Sequence, residues 1–131
     1  AYVSNESGRD EIWVRSFPAR DQRVKVSNEG GGEPAWSRDG RELFYRTSNN
    51  PAVGSELMAV NVSTTQGFRA DTPRKVFEGP YVINSFFGQS YDVSPDGKRF
   101  VMVKIDPVKS PKESHVVLNW FEELKRRAPT N

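Results

Sequence analysis

A hydrolytic Ser-His-acid relay needs a histidine, and the sequence has one, His115. It stands beside Val116 and Val117 at the start of a predicted strand, which gives it a structural role. No Gly-x-Ser-x-Gly segment supplies a nucleophile elbow. The chain has no cysteine, so thiol nucleophiles, disulfides and the sulfur ligands of zinc sites are excluded. Gly30-Gly31-Gly32 precedes a predicted strand rather than a helix, and no Lys-Ser or Lys-Thr follows it as in a phosphate loop. That glycine run reads as a flexible connection. Asp39-Gly40 and Asp96-Gly97 lack the alternating ligands and the distal Glu of an EF-hand calcium loop, so both read as turn formers.

Those two turns organise the chain. Ala35-Trp36-Ser37-Arg38-Asp39-Gly40-Arg41-Glu42-Leu43-Phe44-Tyr45 resembles Asp92-Val93-Ser94-Pro95-Asp96-Gly97-Lys98-Arg99-Phe100-Val101-Met102. An Asp-Gly between two β-type runs is a strong hairpin signal, because Gly supplies a positive φ. The Ser and Asp side chains can hydrogen-bond the turn backbone. A second match, Glu11-Ile12-Trp13-Val14-Arg15 against Glu56-Leu57-Met58-Ala59-Val60, supports a repeat of several short strands. Periods of roughly 40–50 residues built this way are the mark of β-propellers.

The Ser-Pro-Asp-Gly-Lys of residues 94–98 and the Trp-Ser-Arg-Asp-Gly-Arg of 36–41 resemble the turns of TolB-like, Trp-Asp-repeat-like propeller blades. The closing segment from Val116 to Arg127 resembles the end of propellers that follow bacterial Ser/Thr kinase domains. The expected fold is therefore all-β, a partial β-propeller of about two and a half four-stranded antiparallel blades with a short C-terminal helix. As one partial domain over 1–131, it divides into an incomplete blade (1–30), a complete blade (31–80), an incomplete blade (81–119) and a helix (120–127). Strands are expected at 1–5, 10–17, 22–27, 34–37, 42–47, 56–62, 74–78, 90–93, 99–104 and 115–119. Trp13, Trp36, Leu43, Tyr45, Leu57, Phe77, Phe100 and Val117 are the expected core. Asn119 and Glu122 make a capping pair for the helix, and Glu122–Arg126 and Glu123–Arg127 support it at i,i+4.

The resemblance implies one possible site. In some propeller lactonases and phosphotriesterases, residues at the start of the inner strands hold Ca²⁺ at the channel mouth, and the metal polarises an ester carbonyl. By position, Glu33, Asn84, Gln89 and Asp92 are the equivalents here; no lactonase motif matches residue by residue. The primary expectation is a non-catalytic binding or scaffold module without a cofactor, sensing a protein or a small ligand. A Ca²⁺-dependent hydrolase of esters or lactones is the alternative. Ser37, Asp39, Gly40, Ser94, Asp96 and Gly97 are assigned to the turns.

Composition narrows the partners. The formal net charge is only +2, with basic and acidic residues interspersed rather than striped, which argues against nucleic acid. No apolar run reaches transmembrane length. Lack of cysteine fits the cytoplasm and the periplasm alike, and the resemblance favours an extracytoplasmic site. The sequence reads as the C-terminal part of a larger propeller, cut within a repeat. Uncovered blade faces and unpaired strand edges then predict self-association, most simply as a two-fold dimer.

Overall fold

A computed structural model of the chain describes residues 1–47, 54–83, 88–104 and 126–127. Among the described residues there are ten β-strands in three antiparallel sheets, none of them closed. Sheet 1 holds β1 (Tyr2–Ser4), β2 (Glu11–Arg15) and β3 (Arg23–Lys25) in sequence order. Sheet 2 holds β4 (Gly32–Trp36), β5 (Glu42–Thr47), β6 (Ser55–Ser63), β7 (Arg69–Ala70) and β8 (Arg74–Gly79). The first half of β6 pairs with β8, and its end pairs with the short β7, a strand the sequence reading did not foresee. Sheet 3 is the hairpin of β9 (Tyr91–Val93) and β10 (Phe100–Met102). The expected strand 115–119 and Val117 lie outside the described residues. Of the expected helix only Arg126 and Arg127 are described, and their backbone is helical.

The sheets stack through two apolar layers. Ile12, Val14 and Val26 of the first sheet region meet Leu43, Tyr45 and Val60 of sheet 2. On the opposite face of sheet 2, Phe44, Leu57 and Ala59 meet Tyr91, with Phe77, Val93, Phe100 and Met102 packed around them. Alternation explains the division: Leu43 and Tyr45 leave one face of β5, Phe44 the other. A sheet covered on both faces has a strand buried throughout, and Leu43 to Thr47 are all buried. Ring edges meet ring faces where Phe44 and Phe77 pack on Phe100, with centroids 5.2 and 5.7 Å away.

Both Asp-Gly hairpins form, and three side-chain hydrogen bonds recur in each. Ser37 Oγ donates to Asp39 Oδ1 and accepts from Glu42 N, while Asp39 Oδ1 accepts from Arg41 N. Ser94 Oγ likewise donates to Asp96 Oδ1 and accepts from Arg99 N, and Asp96 accepts from Lys98 N. Gly40 and Gly97 both sit at φ 70°. These bonds, led by the serine hydroxyl's, hold both aspartates below the usual carboxylate range.

Two expectations need correction. Trp36 is 39% exposed rather than buried. It shares a face with its cross-strand partner Leu43, but at the end of β4, where sheet 1 does not cover it and Phe68 meets its ring edge-on at 6.4 Å. Within the glycine run Gly31 is close-packed rather than a free connection, while a Cβ on Gly32 would meet open space. A Cβ on Gly31 would stand 2.8 Å from Ile12 and 2.9 Å from Tyr45, so only a glycine lets the two sheets approach there.

Candidate functional site

Between the sheets, the start of β4 is anchored first by backbone. Gly30 N donates to Glu11 Oε2 at 3.1 Å, and Gly31 N to Asp10 O at 2.9 Å. Glu11 is buried, and Ser27 Oγ and Arg9 Nε also donate to its carboxylate. Burial alone would raise its pKa; the bonds from Ser27 and Arg9, the Arg9 charge and Gly30 outweigh it and hold the carboxyl low. Past the glycines the register of β4 against β5 shifts between Gly32 and Ala35. Glu33 sits in that bulge at φ 54°, a left-handed conformation uncommon for residues other than glycine, and such bulges re-aim a side chain.

The Glu33 carboxylate accepts from Ser90 N at 3.1 Å and from Ser90 Oγ at 2.7 Å. Tyr91 Oη donates to the Glu33 carbonyl at 3.0 Å. Beside them lies Arg46, whose side chain is fully buried, with Nη1 3.9 Å from Glu33 Oε2. Nη1 donates to Val82 O at 2.5 Å and to Ser90 Oγ at 2.9 Å; Nη2 donates to Ser55 Oγ and to Tyr81 O. Burial lowers the Arg46 pKa, and Glu33, Tyr91 and Tyr81 oppose it. Tyr91 is pushed well above the ordinary phenol value, chiefly by burial, against a hydrogen bond from Gln89. Tyr45, in the other layer, is raised by burial to about 12.

A cleft of about 410 Å³ opens at this end of β4, lined by Val3, Asp10, Gly32, Glu33, Pro34, Gly88 and Gln89. It brings together two of the four expected ligands, Glu33 and Gln89, and adds Asp10. Asp92 is elsewhere, on the exposed side of β9 with its Oδ1 accepting from Val93 N. Asn84 lies outside the described residues. Ca²⁺ takes six to eight oxygens, mostly anionic or carbonyl. Here one carboxylate is already held by Ser90 donors and neighbours a guanidinium, and among the described residues no three acid, His or Cys side chains form a metal cluster.

Arg46, Ser90 and Ser55 were missed by sequence reasoning. A signal existed: Arg46 interrupts the apolar phase that Phe44 begins, two residues earlier on the same face of β5. A charge in that phase must be paired inside. Comparison with family models, with curated proteins and with solved structures gives no match.

Proposed function

We propose that sheets 1, 2 and 3 are successive blades of a TolB-like β-propeller stretch, and that the chain is a non-catalytic binding module. The support for the repeat is the same Ser-Asp-Gly turn, with the same hydrogen bonds, opening the first hairpin of two successive sheets. The observation that carries the function is the double role of Glu33. It walls the cleft at the start of β4, yet its carboxylate is fixed by Ser90, so it shapes a binding surface and is not free to act as a base. A protein loop or a small polar ligand is the fitting occupant.

Titration with a small-molecule fragment library, followed by amide NMR, tests this. Shifts should cluster at Gly32, Glu33, Gly88 and Gln89. Hydrolysis of p-nitrophenyl acetate or a simple lactone that needs added Ca²⁺ and stops with EDTA would replace the proposal with the hydrolase reading. Self-association belongs to the same proposal, since Val101 and Val103 near β10 are 76% and 59% exposed. Sedimentation at micromolar concentration should give a dimer or larger, and Val101→Asp should shift it toward monomer.

A further inference from the structure

The far end of β4 carries a second cleft, about 13 Å along the strand from the first at the usual rise per residue. Its volume is about 330 Å³, and Val14, Val24, Trp36, Phe68, Phe17 and Arg15 line it. We propose that this cleft docks an acidic peptide segment of a partner protein through one bulky apolar side chain. The proposal does not depend on the propeller reading.

Phe17 is the first argument. It is 85% exposed, yet the turn that presents it is tied down: Ser16 N donates to Gln22 O, Gln22 N to Ser16 Oγ, and Ser16 Oγ to Asp21. A tied turn presenting an exposed aromatic beside the exposed Trp36 is the anatomy of an interface anchor point. The volume lies at the lower end of ligand cavities, enough for one large side chain. Trp36 and Phe68 stand at 89° to each other, a corner that grips a side chain rather than parallel faces between which a nucleobase would stack.

Charge is the second argument. Arg9, Arg41, Arg74 and Lys75 each reach a carboxylate, as does Arg23, the cross-strand neighbour of Arg15. Arg15 lines the cleft, Arg38 lies two residues after Trp36, and Arg69 follows Phe68; none of these three forms an ion pair among the described residues. Arg15 spends Nε and Nη2 on the Arg20 carbonyl, a neutral acceptor, and the nearby Asp21 is engaged by Ser16. An arginine without an acidic partner on the wall of an apolar cleft, with Arg38 and Arg69 next in sequence to its walls, complements acidic residues flanking an apolar anchor.

The test is fluorescence anisotropy of a fluorescein-labelled polyglutamate peptide with one central phenylalanine, at low salt. Saturable binding is expected, weakened about tenfold or more when the phenylalanine becomes alanine or the glutamates become lysines. Phe17→Ser, at an 85% exposed side chain, should weaken it comparably with unchanged circular dichroism and melting, and Arg15→Glu should weaken it with unchanged circular dichroism. Absence of saturable binding, equal binding of the lysine peptide, indifference to both variants, or tighter binding of oligothymidylate would each overturn the proposal.

Discussion

Sheet 2 meets its two neighbours by different means. Toward sheet 1 the packed layer is apolar, Ile12, Val14 and Val26 against Leu43, Tyr45 and Val60, and the buried Glu11 carboxylate, held by Ser27, Arg9 and Gly30 N, stands beside it at the start of β4. Toward sheet 3 an apolar layer of Phe44, Leu57, Ala59 and Tyr91 is joined by the buried guanidinium of Arg46, held by Val82, Ser90, Ser55 and Tyr81. Apolar surfaces repack at several offsets with modest loss. A buried guanidinium keeps its partners at one offset only, and losing them is costly. The guanidinium therefore fixes the register between sheets 2 and 3 behind Glu33, while on the other side Glu11 fixes only the start of β4, through Gly30 N.

The largest effect expected from breaking this contrast is at Arg46. Arg46→Met should cost about 3–5 kcal/mol in urea unfolding, because Glu33 is left buried beside no cation. Adding Glu33→Gln should recover part of that loss, at least about 0.5 kcal/mol of coupling. Leu43→Ala, in the apolar contact, should cost about 2–5 kcal/mol through its cavity. Glu33→Gln should bring it no recovery, since the residues sit on opposite sides of the comparison. If both variants respond alike to Glu33→Gln, the two contacts are not physically distinct.

The paired turns sharpen the comparison at smaller scale. Ser37 is buried and Ser94 only half-buried, although they share three turn hydrogen bonds. Ser37→Ala leaves the half-buried Glu42 N without its partner, so it should cost about 1–3 kcal/mol. Ser94→Ala, where water can substitute, should cost about 0.5–1.5 kcal/mol. Equal losses in thermal unfolding would mean that burial of the turn is immaterial.

Much of the fold was legible because it rests on local chemistry. The Asp-Gly turns and alternating runs placed nine of the expected strands where strands form, within a few residues, and Leu43, Tyr45 and Leu57 are buried. What failed depends on neighbours. Trp36 has the right strand and face but no sheet over it, and coverage is a property of the stack, not of the run Pro34-Ala35-Trp36. The glycines looked flexible because the Ile12 and Tyr45 side chains that crowd Gly31 are far away in sequence. At the candidate site, Glu33 and Gln89 were legible as neighbours of the inner strands. The partnership of Glu33 with Ser90 was not, since a bulge at φ 54° decides where that side chain goes.

Each contact of sheet 2 also contains one buried tyrosine, Tyr45 on one side and Tyr91 on the other. Both hydroxyls are kept protonated mainly by burial, Tyr45 up to about 12 and Tyr91 beyond it. A phenol in the unfolded chain ionises near pH 10, so the stability these two groups contribute is complete below that value. It declines as pH rises from there through the folded-state values. Phenolate absorbs in the near ultraviolet where phenol does not, so in alkali each tyrosine becomes an optical gauge of its own contact. Replacing Tyr45 or Tyr91 with Phe in turn would assign the absorbance steps, and show which side of the stack parts first.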